Sequence, residues 1–285
     1  MSKIFDLDSP LMRILNKVAD LMILNVATLL FCVPGLFSGY VAIQIYMTEG
    51  MINIPSILMF VVLSIPVGSA LTGMHYVLLK MVRGDEAYII KDFWKSFKLN
   101  FKQASVIWLI LEVIGLLLIA DYKIYISSSS FPKIMLIMTG VVAIIVFIVY
   151  IYVFPLLSRF SNTIGNTIKN AFLVSIFGLP RTLLMMVITG AALIVPVVAV
   201  TLIYRIFPVY ILFGLTLPGY LCALLYSPLF KRFEPEVKEE KMTTEEELLE
   251  AARAIQGSND EDFDEAAKII QDDGMDEADD ASGKF

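Results

Sequence analysis

Histidine is almost missing from this chain. His75 is the single example, and cysteine occurs only twice, as Cys32 and Cys222. These scarcities exclude whole classes of chemistry. One histidine cannot build a multi-histidine metal site, and most hydrolytic constellations that need a His base are already out of reach. Two cysteines inside apolar runs make neither a disulfide framework nor a metal-ligand cluster. No glycine-rich phosphate cradle and no serine nucleophile elbow occurs, so the chain reads as neither an ATPase nor a hydrolase. The expectation is a non-enzymatic protein with no cofactor and no bound metal.

Charge is also scarce. Asp, Glu, Lys and Arg make up 18% of the residues, against about 25% in ordinary soluble domains, while 58% are hydrophobic and mean hydropathy is +0.76. The charges that exist are segregated. From Glu234 onward acids outnumber bases 19 to 5, a net of −14, whereas residues 1–233 hold 9 acids and 17 bases, a net of +8. A basic, greasy body of residues 1–233 therefore precedes an acidic tail of residues 234–285.

The body contains six runs with almost no charge that are long enough to cross a bilayer core of about 30 Å, which takes about 20 helical residues. They cover roughly Val18–Tyr46, Pro55–Met81, Ala104–Ala120, Ile134–Leu157, Thr182–Tyr204 and Phe207–Phe230. The expected fold is all-α: a polytopic membrane helix bundle of about six transmembrane helices. Pro34–Gly35, Pro66, Pro155, Pro196 and Pro218–Gly219 interrupt most of the spans, each proline removing a backbone donor, and they read either as packing kinks or as broken helices around a transport site. A tight turn at "RIFP", Arg205 to Pro208, would make the last two spans a hairpin. The first run is long and lacks a small-residue cleavage site, so it reads as a span and not a secretory signal.

Orientation follows the distribution of Lys and Arg in short loops. Lys80, Arg83, Lys91, Lys95, Lys98 and Lys102 follow the second span; Arg159, Lys169 and Arg181 follow the fourth. Lys3, Arg13 and Lys17 precede the first, and Lys231–Arg232 follow the last. The other loops are short and carry only Lys123, Lys133 and Arg205. This predicts a membrane protein with both termini in the cytoplasm and no extracellular domain.

The segment "KDFWKSFKLNFKQA" concentrates aromatics and lysines between apolar runs. At about 100° per residue, Phe93, Trp94, Phe97 and Phe101 share one face, joined by Ile90 and Ala104. Lys91, Lys95, Lys98 and Lys102 form a neighbouring ridge, and Asp92, Ser96, Asn100 and Gln103 fill much of the rest. An interfacial aromatic face beside a lysine ridge suits anionic lipid or a cytoplasmic protein partner. Nucleic acid is not expected, since the segment is tied to a membrane body and no nucleic-acid motif accompanies it. Three polar groups lie within the spans and are functional candidates: Asn25, His75 and Glu112. His75 and Glu112 could form a proton-linked pair, although His75 lies close to Lys80 and Glu112 lies deeper.

Two longer runs carry a resemblance. "SALTGMHYVLLKMVRGDEAYIIKDFWKSFKLNFKQASVIWLIL" and "YVFPLLSRFSNTIGNTIKNAFLVSIFGLPRTLL" resemble the two cytoplasmic signatures of the YesL-like bacterial membrane proteins, and together suggest similarity over most of Met1–Phe233. The stretch Gly39–Leu63 is longer than that pattern, and the acidic tail is an addition to it. The family is biochemically uncharacterised and is often encoded beside carbohydrate ABC-transporter components and glycan-degrading enzymes. The resemblance thus implies an accessory or assembly role in carbohydrate uptake, with membrane lipids and ABC-transporter subunits or another cytoplasmic protein as partners. It supplies no catalytic residues. The alternatives are a small-solute or lipid transporter with a site among the broken helices, and a homo-oligomeric structural protein.

A weak internal echo pairs "YVLLKMVRG…KSFKLNFKQA" with "FPLLSRFSN…NTIKNAFLVS", as if two related halves were present. In the tail, "TTEEELLEAARAI" has capping-box spacing from Thr243 to Glu246 or Thr244 to Glu247, and "DEDFDEAAKII" repeats its apolar spacing. Two short helices, or a segment that orders only on a partner, are expected there.

Overall fold

A computed structural model describes residues 9–127, 131–198 and 203–233. The chain divides into a compact unit, Met1–Arg232, and a second unit, Phe233–Phe285. The two helices expected in the tail lie outside the described residues.

The described residues of the first unit form eight helices: α1 Pro10–Glu49, α2 Ile54–Arg83, α3 Ile89–Ser127, α4 Lys133–Arg159, α5 Ile164–Phe177, α6 Leu179–Val198, α7 Ile203–Phe213 and α8 Thr216–Phe230. The described residues include no strand. Backbone groups in hydrocarbon must be satisfied within the segment, and helices do that. Five stretches are long and apolar enough to cross a membrane, the fifth being Pro208–Phe230, and the bent pair α5–α6 makes a sixth. The protein is a polytopic membrane helix bundle. At 1.5 Å per residue the 40-residue α1 is about 60 Å long, roughly twice the bilayer core, so much of it stands clear of the hydrocarbon.

Local signals set the helix ends. Ser9 caps α1 by accepting from Met12 N at 3.3 Å, and Asn53 caps α2 by accepting from Ser56 N at 3.0 Å. Gly84 closes α2 in the left-handed region at φ 78°, with its N–H and that of Asp85 both returning to the Lys80 carbonyl.

At three of the prolines the helix continues, which fits a packing role and not a broken helix. α1, α2 and α4 run unbroken through Pro34, Pro66 and Pro155. The "RIFP" turn is corrected: Arg205 to Pro208 lies within α7. The chain breaks instead at Gly178, where α5 meets α6 at 108°, and at Gly214–Leu215 between α7 and α8. The sixth expected span is therefore two helices end to end.

α2 is the centre of the bundle, touching α1, α3, α4 and α8. Its small run "VGSALTG", Val67 to Gly73, admits the α3 backbone. A Cβ on Gly68 would collide with the Ala104 carbonyl, and one on Gly73 would sit 3.0 Å from the Phe93 ring. Ser69 uses the close approach to donate to the Phe101 carbonyl at 3.2 Å. Small residues serve this purpose where lipid supplies no hydrophobic force between helices. Val77, Leu78, Ile107, Tyr152, Phe154, Tyr226 and Phe230 fill the core around α2.

Candidate functional site

The basic ends of the helices are knitted together. Lys80, in the last turn of α2, pairs with Asp92 in the first turn of α3 at 2.8 Å, and Tyr88 N donates to the same Asp92 oxygen at 3.0 Å. Gln103 of α3 donates to the Asn162 carbonyl between α4 and α5 at 2.6 Å. Phe160, at the end of α4, meets Phe230 of α8 edge to face, with ring centres 5.7 Å apart. The first two links fix the lysine-bearing half of α3 on α2 and on the α4–α5 connection, and the third ties that connection to α8.

That half of α3 is sorted differently from the sequence expectation. The aromatic face divides. Phe93 and Phe97 are buried, and both ring systems meet Phe31 of α1, at 6.1 and 4.6 Å. Trp94 and Phe101 keep 41% and 38% of their surface exposed, so only these two are free to act as interfacial aromatics. Asp92 and Ser96, assigned to the outer polar surface, are buried. The reason is the crossing with α2: Asp92 is drawn in by Lys80, and the Gly73 gap draws in Phe93 one residue later. Lys91, Lys95, Lys98 and Lys102 are all exposed. Lys98 lies 5.0 Å over the Trp94 ring and Lys91 5.6 Å over Tyr88. None of the four forms an ion pair among the described residues.

Two concave surfaces flank this helix. On one side is an open cleft of about 800 Å³ whose walls mix polar and apolar side chains, among them Asn100, Gln103, Asn162, Leu157 and Phe160, with Leu99 on its rim, 79% exposed. On the other is an apolar groove of about 670 Å³ between α1, α3 and α7, lined by Ile23, Ala27, Phe31, Ile90, Trp94 and Leu212.

The three intramembrane polar candidates take separate places. Asn25, fully buried, bridges the α7–α8 break. Its amide nitrogen donates to the Tyr210 and Ile211 carbonyls at 3.2 and 2.6 Å, and its oxygen accepts from Leu215 N and Thr216 N at 2.9 and 3.0 Å. One side chain thereby satisfies carbonyls at the end of one helix and N–H groups at the start of the next. Thr216 reinforces the joint by donating to the Leu21 carbonyl at 2.9 Å. His75 Nδ1 shares a 3.0 Å hydrogen bond with the buried Tyr226 hydroxyl. Glu112 binds the Ser64 hydroxyl, 2.9 and 2.8 Å from its two oxygens, and Trp108 Nε1 donates to the same hydroxyl at 3.1 Å. Ser64 and His75 are 11 residues apart on α2, about 16 Å along its axis. The structure thus does not bring His75 and Glu112 together as a pair.

Sequence reasoning missed the partners that define these roles: Tyr226, Ser64, Thr216, and the Tyr152–Thr182 pair. The Thr182 hydroxyl donates across the α5–α6 bend, lying 2.8 Å from the Ser175 carbonyl and 3.1 Å from that of Gly178, and sits 2.8 Å from Tyr152 Oη. The glycines at the two breaks were the available signal, since a break in lipid needs a polar side chain to satisfy it. Beside the α7–α8 break lies an internal cavity of about 70 Å³ lined by His75, Tyr150, Thr189, Gly214, Pro218 and Cys222. It has room for a few waters and lies far below the roughly 300–1,000 Å³ of small-molecule sites. No cluster of metal-ligating side chains occurs among the described residues.

Residues 21–122 match a family described as "Protein of unknown function, DUF624". The match runs from Leu21 in α1 to Tyr122 in α3, so it contains Asn25, His75, Glu112 and the lysine helix and stops before α4. A protein named "Uncharacterized protein YteU" from Bacillus subtilis (strain 168) is 27% identical over 123 residues, which is 43% of this chain and 55% of that protein's length. No solved structure matches.

Proposed function

We propose that this membrane protein is a non-enzymatic accessory or assembly subunit of a transport system, seated in the bacterial cytoplasmic membrane with its basic end inside. The observation that carries this reading is the contrast in concave surfaces. The cavity among the broken helices has room for only a few waters, whereas the cleft at the basic end is open and about 800 Å³. Leu99 stands between the cleft-lining Asn100 and Gln103 on one side of α3 and the exposed Lys95 and Lys102 on the other, giving a partner an apolar contact beside positive charge. Because α3 is unbroken from Ile89 to Ser127, a load on the docking segment passes directly to a span. The YesL-like resemblance suggests carbohydrate as the cargo and ABC-transporter subunits as partners.

The test is photo-crosslinking from Leu99 or Gln103 in intact membranes, followed by purification in mild detergent. A stoichiometric permease or ATPase subunit, lost with Lys95→Glu/Lys102→Glu while the protein still inserts, is the expected result. A self-contained oligomer that moves solute into liposomes unaided would overturn it in favour of a transporter.

A further inference from the structure

Glu112 lies at the middle of its span. Lys102 and Lys123 are 21 residues apart on α3, about 32 Å of helix, which matches a bilayer core of about 30 Å. Glu112 stands 10 residues from the first lysine and 11 from the second, and it is half-buried. α3 packs on α1, α2 and α4. No Asp, Glu, Lys or Arg occurs at 21–48 of α1, 54–79 of α2 or 134–158 of α4, so these helices offer no counter-charge within their spans. The titratable groups near this depth are Cys32 and Tyr40 of α1 and Tyr150 of α4, and α2 has none from Ile54 to Met74. Among the described residues Glu112 is hydrogen-bonded to none of them, and its partner is the buried Ser64 hydroxyl.

The protons available at Ser64 distinguish the two forms of the carboxyl. Ser64 Oγ lies 3.0 Å from the Val61 carbonyl, 2.9 and 2.8 Å from the two Glu112 oxygens, and 3.1 Å from Trp108 Nε1. A hydroxyl has one proton to donate and two lone pairs that accept. With Glu112 ionised, the Val61 carbonyl and the carboxylate compete for that one proton, and one lone pair of Ser64 goes unused. The carboxylate then keeps at most one hydrogen bond at a depth where charge is costly. With Glu112 protonated, every capacity is used. The Trp108 N–H and the Glu112 O–H donate to Ser64 Oγ, and the Ser64 hydroxyl donates to the Val61 carbonyl.

We infer that Glu112 is a proton-binding site in the middle of the membrane, whose carboxyl holds a proton in the assembled protein and donates it to Ser64. The site joins α3 to α2 where α1 also closes in, since a Cβ on Gly35 would sit 3.0 Å from the Ser64 Cα. Removing the proton turns the Ser64 hydroxyl away from its own helix and toward the carboxylate, so the charge of one group is registered where three helices meet. The site uses no residue of the docking cleft and is independent of the docking role.

Infrared difference spectroscopy of the full chain in phosphatidylcholine vesicles reads this proton directly. A protonated carboxyl has a carbonyl stretch above the amide band, separate from the carboxylate bands, and the stretch moves down in heavy water. At neutral pH the parent spectrum minus that of Glu112→Gln should contain this band and no carboxylate bands. Glutamate isotope-labelled at its side-chain carboxyl should shift the same band in the parent chain itself, so the reading does not depend on how the variant folds. Ser64→Ala removes the acceptor, so it should keep the band and move it to higher frequency. Carboxylate bands in the parent-minus-Glu112→Gln difference overturn the inference, as does a parent band that ignores the glutamate label. A protonated band unmoved by Ser64→Ala overturns it too, because the proton is then not donated to Ser64. Partner crosslinking is a separate measurement, so failure here leaves the docking reading standing and the reverse holds too.

Discussion

Replacing Asn25 by Leu should uncouple α7 from α8. The side chain makes hydrogen bonds to four backbone groups, at Tyr210, Ile211, Leu215 and Thr216, in a fully buried position. Leucine matches its size and none of its polarity. At the modest average of about 0.6 kcal/mol per hydrogen bond inside membrane proteins, the four amount to about 2.5 kcal/mol. At about 1–3 kcal/mol per orphaned buried group the loss would be several times larger. The Thr216 hydroxyl does not compensate, since it is already directed to Leu21. With about 2–4 °C per kcal/mol for a chain of this size, the melting temperature should fall by at least roughly 5 °C. The native cysteines supply the assay. Cys32 and Cys222 are both buried, so a thiol-reactive dye in mild detergent reports unfolding without any added label. Thr28→Val is the control: the hydroxyl is buried on the same helix but bonds only its own helix, at Leu24. Asn25→Asp is a second arm. It keeps the acceptor for Leu215 and Thr216 but turns an oxygen toward two carbonyls, so it should be at least as damaging as the leucine. A melting temperature for Asn25→Leu within about 2 °C of Thr28→Val would refute the reasoning, and an Asn25→Asp protein as stable as the parent would refute the donor half of it.

Other expectations use the same measurement. Gly68→Leu should prevent normal assembly of α2 against α3, because its Cβ alone meets the Ala104 backbone; a monodisperse, normally melting variant would contradict the packing. Ser64→Ala should cost about 1–3 kcal/mol by leaving the Trp108 N–H and the Glu112 carboxyl without their shared partner, whereas Glu112→Gln, which retains an acceptor for Ser64, should cost under about 1 kcal/mol. The reverse order would show that Glu112 does more than hold Ser64. Asp92→Ala should release the start of α3 at a cost of about 1–3 kcal/mol and speed proteolysis between Gly84 and Tyr88; unchanged cleavage would remove the Lys80–Asp92 pair from the account.

What could be read from residues alone was governed by period and by composition. Long runs with almost no charge announce spans because lipid permits few alternatives, and the lysine ridge was legible because exposed charge follows helical spacing. The aromatic face was half legible. Periodicity grouped Phe93 with Trp94 and Phe97 with Phe101, but which of them turn inward depends on where α2 crosses, and that is set by Gly73 and Lys80, 13 to 20 residues earlier. Prolines alone did not tell a packing kink from a break, because a helix in a bundle can carry one when its neighbours hold the geometry. The real breaks fell at glycines, and their partners are distant: Asn25 stands 185 to 191 residues from the groups it bonds. Local pattern has no access to such pairings.

That distance also bears on how the chain is organised. The matched family segment ends within α3, yet Asn25, inside it, is satisfied by backbone groups of α7 and α8. The first three helices on their own would bury an amide with no partner, or expose it to lipid, at a cost of several kcal/mol for two donors and two acceptor positions. The groove argues in the same direction, for Leu212 of α7 closes a wall that α1 and α3 leave open. The α1–α3 segment thus supplies the lysine helix and most of the groove, while the later helices supply what makes its buried polar residue tolerable. Any swap of this segment between related proteins should carry the α7–α8 break with it, and the joint at Asn25 is where an incompatible pairing would first show as lost stability.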